Sequence, residues 1–321
     1  MYTVAAKEYW MGRTDSESVT EMFRLHQVVR IENLATFNEK QKENAIGIIG
    51  FRCDEGVRRN KGRTGAYYAP DAIRKSLSSL PYNFHSDIKL FDFGNVSCDD
   101  GNLEEAQKEL GEAIKKILDL NIFPLIIGGG HEVAYGHFLG HKKYKKDIEN
   151  IGIINFDAHF DMRSYDETTS SGTMFKQIAD EFVAANKTFR YLCVGIQKSG
   201  NTKYLFETAE RYGCEYIRED EISLLHLDKV SKKIDEFIAK SDTIMLTLCS
   251  DVFCSSDAPG VSAPQPFGLD PKIVKYFLKD IVKHKKVLSF DIAEINPTLD
   301  ESGLTVKLAA TMLYEIIDSL A

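Results

Sequence analysis

Seven short apolar runs constrain this fold more than any other feature of the chain. They are AIGIIGF (residues 45–51), IKLFDFG (88–94), IFPLIIGGG (122–130), IGIINFD (151–157), FRYLCVGI (189–196), TIMLTLCSDVF (243–253) and KVLSFDI (286–292). Each has the length and Ile/Val/Leu/Phe content of a strand buried on both faces. Helical patterns separate several of them. The clearest is NLEEAQKELGEAIKKILDL (102–120), which sets Leu103, Ala106, Leu110, Ala113, Ile114, Ile117 and Leu118 on one face. Buried strands alternating with helices predict an α/β fold of three layers, α/β/α, around a central, mostly parallel sheet. In such sheets ligands sit beyond the carboxyl ends of the strands. The polar tails of the runs are therefore where function is to be sought.

Other features narrow the class. A formal charge of −8 and a pI near 5.6 argue against a nucleic-acid partner. The basic run HKKYKK (141–146) reads as a solvated loop or helix end. No apolar run approaches the roughly 18–20 residues of a membrane span, and MYTVAAKEYW at the start lacks a signal-peptide core. Six scattered cysteines, several within strand-like runs, read as reduced thiols in a cytoplasmic protein. With no repeat or linker, we expect one domain over 1–321. Within it, 1–44 is read as a helical extension, because Ser18 and Glu21 in SVTE match a capping box before MFRLHQVV.

Four strand tails carry chemistry. GGGHE places His131 after three glycines, DAHFD spaces Asp157, His159 and Asp161 at alternate positions, CSDVF carries Cys249 and Asp251, and SFDIAEINP carries Asp291 and Glu294. Extended chain points every second side chain the same way. Acids and imidazoles at the ends of buried strands are costly unless they pair or bind a cation. Carboxylate with imidazole suits a divalent ion such as Mn²⁺ or Zn²⁺.

In order and spacing, GGGHE, NFDAHFD, SDVF…APG and SFDIAEINP resemble the binuclear manganese ureohydrolases: arginase, agmatinase and formimidoylglutamase. WMGRTDSE…RLHQVV, GFRCDEGVRRNKGRTGAYYAPDAIRKSL and APGVSAPQPFGL look like the formimidoylglutamase branch. The resemblance implies an arginase-like fold, two Mn²⁺ ions, a small-molecule substrate and a symmetric homo-oligomer. The implied reaction is hydrolysis of N-formimidoyl-L-glutamate to L-glutamate and formamide, in histidine degradation. It also implies that His131, Asp157, His159, Asp161 and Asp251 bind metal, with Asp157 bridging. Asp161 would pass a proton to the leaving nitrogen, and Glu294 would hold the amidinium group.

One position departs from the pattern. Where the family has Asp-x-Asp, this chain has Cys249 and Asp251. A thiolate is softer than a carboxylate and suits Mn²⁺ less well, so one metal site is in question and a catalytically silent relative stays open as a reading. So does another ureohydrolase acting on a guanidino acid. For substrate contacts, Arg163 is placed to grip a carboxylate through two parallel hydrogen bonds. Arg58 and Asn60, in the VRRNKGR loop with Arg59, Lys61 and Arg63, offer a second anion contact. Ser171 and Thr173 offer hydroxyl or backbone contacts.

Overall fold

The computed structural model describes residues 1–42, 44–84, 88–144 and 150–321. All seven apolar runs form strands, and three more join them: β1 (Tyr2–Thr3), β2 (Arg30–Ile31), β3 (Ala45–Arg52), β4 (Lys89–Ser97), β5 (Phe123–Ile127), β6 (Ile151–Phe156), β7 (Arg190–Ile196), β8 (Glu215–Arg218), β9 (Thr243–Cys249) and β10 (Val287–Ala293). The helices are α1 (Leu25–Val28), α2 (Glu55–Arg59), α3 (Ala69–Ser78), α4 (Leu103–Asp119), α5 (Val133–Tyr144), α6 (Met174–Ala184), α7 (Lys203–Arg211), α8 (Leu227–Ala239), α9 (Pro271–Ile281) and α10 (Leu304–Leu320). One sheet holds all ten strands in the order β1-β4-β3-β5-β10-β9-β6-β7-β8, with β2 also paired to β4. Among the pairings of these strands in the described residues, only β1–β4 is antiparallel.

Both faces of the sheet are covered. Along the middle strands, Ile154, Phe156, Leu246, Leu248, Phe290 and Ile292 enter a core shared with Val274 and Phe277 of α9 and Leu313 and Ile317 of α10. The opposite face holds Ile153 and Met245 against Phe138 of α5 and Phe175 and Ile178 of α6. Beside it, Ile49, Phe51 and Ile126 pack on Leu110, Ile114 and Ile117 of α4. The period-2 alternation of strands thus feeds separate cores.

The strand order positions the site. β9 and β10 come last in sequence but lie between β5 and β6. The carboxyl ends of β5, β10, β9 and β6 are therefore neighbours, and the tails carrying His131, Glu294, Cys249 with Asp251, and Asp157 to Asp161 open onto one space.

The N-terminal segment differs from the helix expected after Ser18. Ser16 Oγ accepts hydrogen bonds from the backbone of Ser18 and Val19. A 3-10 turn follows at Thr20–Met22, then only the four-residue α1, where Gln27 rather than Glu21 reaches back to cap. Tertiary contacts override the local signal. Trp10 and Leu25 are buried with Ile73 and Leu77 of α3, and β1 and β2 both add to β4, covering the edge of the sheet. Of the basic run, His141 to Tyr144 end α5; Lys145 and Lys146 lie outside the described residues.

One buried ion pair fastens this segment. The Arg74 guanidinium, fully buried, donates to both oxygens of Asp92 (2.7 and 2.9 Å), to Asn95 Oδ1 (2.6 Å) and to the Gly94 carbonyl (2.7 Å). Trp10 Nε1 donates to the same Asp92 carboxylate at 2.6 Å. Removing one partner of such a pair strands a buried charge. Arg74→Ala is therefore expected to cost about 3–5 kcal/mol, read as a lower urea midpoint at unchanged slope; a loss under about 1 kcal/mol, the size of a surface pair, would contradict it.

Candidate metal centre

The turn after β5 carries the first ligand candidate. Gly130 N donates to Cys53 O at 2.9 Å and Gly128 N to Ile292 O at 2.8 Å. A Cβ on Gly129 would stand 1.8 Å from Cys53 O, so only glycine fits where the turn crosses the end of β3. His131 follows, with its backbone N–H donating to Glu294 Oε1 at 2.8 Å. Asp161 and Glu294 both adopt left-handed backbone (φ 49° and 66°), a costly conformation for residues with side chains, and both face the site.

Asp157 is the centre of the cluster. Its Oδ2 lies 3.0 Å from His131 Nδ1, and its Oδ1 lies 3.5 Å from His159 Nδ1. Asp161 Oδ2 is 3.0 Å from His131 Nδ1, and Asp251 Oδ2 is 3.0 Å from His159 Nδ1. Asn155 Nδ2 and the His159 backbone N–H also donate to Asp157, holding its carboxylate plane. Two groups of ligand atoms result, each within 4.8 Å: His131, Asp157 and Cys249, and Asp157, His159 and Asp251. They share Asp157, one oxygen turned to each. Asp251 Oδ1 is buried with no hydrogen-bond partner among the described residues. Hard carboxylates, imidazoles and an unsatisfied buried oxygen fit a pair of divalent cations.

The electrostatics agree. Burial disfavours the charged form of every group here. Burial, then neighbouring Asp157, pushes Asp161 up to about 6 and raises Asp251. Burial, then Glu132, pushes Glu294 up to about 8. Asp157 moves the other way: burial opposes its charge, but the two histidines hold it well below the usual carboxylate range. Against burial, the carboxylates in turn raise both His131 and His159 well above the usual imidazole range. Burial and the nearby Asp157 hold Cys249 as a neutral thiol.

All six proposed metal ligands meet here, and so do Glu294, Asn60, Ser171 and Arg163, which line the same cleft. The Arg163 guanidinium, solvent-facing, has no hydrogen-bond or ion-pair partner among the described residues. Its stem runs over Gly172, where a Cβ would lie 2.9 Å from Arg163 Cδ and 3.1 Å from Asn60 Oδ1. Two expected contacts fall outside. Arg58 points away from the cleft and pairs with Glu55 at 2.6 Å, because the loop turns into α2 and presents Val57 and Asn60 inward instead. Thr173 is buried, and its hydroxyl is spent on Ser170 and Gln177 in its own turn. The other cations of the loop serve structure or solvent: Arg59 binds Glu55 and Glu104, Arg63 binds the Val261 and Ser262 carbonyls, and Lys61 is exposed.

Sequence reasoning missed several supports. Asn201 accepts from Phe160 N and donates to the Ala158 and Gln197 carbonyls, pinning the Asp157–Asp161 segment. Gln265 Nε2 approaches His159 Nε2 at 3.4 Å from the APGVSAPQPFGL loop. Neither had a spacing signal, since the contacts to Ala158, His159 and Phe160 join distant segments.

A family model described as the arginase family matches residues 44–318. The chain is 50% identical to a formimidoylglutamase of a Geobacillus species over 317 residues, covering 99% of this chain and 96% of that protein. A formimidoylglutamase of Clostridium tetani is 47% identical over 326 residues, covering 100% and 96%. Among solved structures, Trypanosoma cruzi formiminoglutamase with Mn²⁺ aligns at a TM-score of 0.76 and 26% identity, over 90% of this chain and 98% of that one. Bacillus subtilis formimidoylglutamase, at 22% identity, shares the fold with a TM-score of 0.80 over 96% and 94%.

Because Asp157 alone belongs to both ligand groups, Asp157→Asn is expected to reduce divalent-metal uptake by the purified chain more than Asp251→Asn does. Elemental analysis after Mn²⁺ loading and gel filtration reads this directly, and equal losses would count against a shared ligand.

Proposed function

The chain belongs to the arginase family, and we propose that it hydrolyses N-formimidoyl-L-glutamate to L-glutamate and formamide at a centre holding two Mn²⁺ ions. The full-length match to formimidoylglutamases carries the reaction, and the unpaired Arg163 beside the ligand cluster carries the fit to an anionic substrate. His131, Asp157, Asp161 and Cys249 would hold one ion and Asp157, His159 and Asp251 the other. When bound, such ions lower the pKa of water from 15.7 towards about 7 and so make a nucleophile available at neutral pH.

The chain's own residues supply the rest. The Glu294 carboxyl, buried and anchored by the His131 backbone N–H, faces the cleft and would receive the amidinium group, whose positive charge compensates the buried acid. Arg163 would take the α-carboxylate, so that the formimidoyl carbon lies between the two anchors. Asp161, whose carboxyl burial pushes up to about 6, would take the proton given up by the attacking water and hand it to the departing glutamate nitrogen. A cationic residue at the mouth disfavours agmatine, which carries no carboxylate for it. We further place the protein in the cytoplasm as a symmetric homo-oligomer, in keeping with six free cysteines and the family resemblance; no helix among the described residues is long and apolar enough to cross a membrane.

Product analysis on formimidoylglutamate, arginine, agmatine and guanidino acids tests the reaction: formamide from the first and no urea from the others is expected. Cys249→Asp is expected to raise Mn²⁺ occupancy by restoring an oxygen donor that both ions can share. Arg163→Ala removes a charge-assisted contact that typically contributes about 1.5–3 kcal/mol, so KM should rise roughly tenfold to more than a hundredfold. Arg163→Lys should recover part of this, lacking the planar fork. A formimidoyl compound without the α-carboxylate should respond little to either change; if it loses as much rate as the full substrate, Arg163 is structural.

A further inference from the structure

On the α5 side of the sheet, the middle strands break their own pattern. β9 and β10 are apolar at alternate positions towards α9 and α10, but towards α5 they present Thr247, Ser289 and Asp291. α5 answers with His137 and His141. All five residues are buried, where polar groups are costly unless fully paired. Such departures from patterning tend to mark functional sites.

The five residues form a continuous chain behind His131. His131 Nε2 lies 3.1 Å from Thr247 Oγ1, Thr247 Oγ1 donates to Asp291 Oδ1 at 2.8 Å, and Asp291 Oδ2 lies 2.6 Å from His137 Nδ1. His137 Nε2 and His141 Nε2 both meet Ser289 Oγ.

One directional chain of protons satisfies every group here except His141 Nδ1. A carboxylate only accepts, so Asp291 takes the Thr247 hydroxyl proton on one side and the His137 Nδ1–H on the other. Thr247 has no second proton, so its oxygen accepts from His131 Nε2–H. His141 Nδ1 is buried without a partner among the described residues, and burial, then His137, pushes this ring well below the usual imidazole range. His141 is therefore neutral with its proton on Nε2, which it gives to Ser289, and Ser289 gives its own to His137. Every hydrogen bond runs towards Asp291.

We infer that Thr247, Asp291 and His137 are positioning residues for His131, fixing a proton on Nε2 so that Nδ1 is the nitrogen left for a metal ion. This rests on reading the cluster as a metal centre. Phe175, edge-on to the His131 ring with centroids 5.6 Å apart, limits its tilt. A carboxylate at the end of such a chain also makes the ligand imidazole more basic. Among the described residues His159 has no equivalent: its Nε2 meets only Gln265 there, at 3.4 Å. The two imidazoles are thus unequally prepared, and the burial and fixed tautomer of His131 assign it the better organised half.

Titration of the metal-stripped full chain with Mn²⁺, followed by the electron paramagnetic resonance of free Mn²⁺, tests this without substrate. Thr247→Val keeps shape but cannot accept from His131. It is expected to lower affinity for the ion held by His131 about 10–100-fold, and Thr247→Ser should restore it. Asp291→Asn should weaken binding similarly. Because both act through one chain, the double variant should be no weaker than the weaker single variant. Wild-type affinity in Thr247→Val, failure of Thr247→Ser to recover it, or single losses that multiply in the double variant overturns the relay. Should Asp291→Asn not fold, the two Thr247 variants decide alone. A wild-type chain that takes up no Mn²⁺ overturns the metal reading and the relay with it, whereas failure of the relay alone leaves wild-type uptake and turnover intact.

Discussion

Four carboxylates meet at the strand ends: Asp157, Asp251 and Glu294, all buried, and the half-buried Asp161. They cannot all be charged there without compensating cations. Much of the surrounding architecture answers that requirement. Two histidines pair with the acids, backbone N–H groups of His131 and His159 donate to Glu294 and Asp157, and the ligand geometry provides room for metal. A cationic amidine seated against Glu294 would bring part of the same compensation, making binding and charge balance one event.

The apolar runs made the sheet legible, because continuous burial leaves few alternatives to parallel strands with helices on both sides. The convergence of the candidate ligands was legible too, since DAHFD and GGGHE put donors at strand tails where a donor has a reason to be. The substrate contacts were less so. Arg58 and Arg163 are alike as letters, yet α2 turns one towards Glu55 and the other stands over Gly172 facing the cleft. Loop direction depends on contacts with distant segments, which period and spacing do not encode. The same limit applied to SVTE, where a sound capping signal lost to burial of Leu25 and Trp10 against α3, and to Asn201, whose contacts with Ala158 and Phe160 span some forty residues of sequence.

Cys249 lies in the ligand group of His131 and Asp157, and its neutral, buried thiol contributes no charge to the balance. The cluster therefore holds one formal negative charge fewer than an Asp-x-Asp version would. The hydrogen-bonded carboxylate of Asp291 behind His131 adds negative potential from the opposite side of the ring, on the half of the centre that Cys249 shares with that histidine.

The strand order has a consequence for synthesis. β3 to β5 can pair among themselves as they emerge, and so can β6 to β8, but the two groups share no sheet contact until β9 and β10 slide between them. Until then β5 and β6 each present an open apolar edge, the kind of surface on which chains associate wrongly. Long-range parallel pairing is intrinsically slow, and here it waits for residues past 287. The nascent chain must complete its most central strands last, so a truncated or stalled product would have two unfinished half-sheets and no catalytic centre at all.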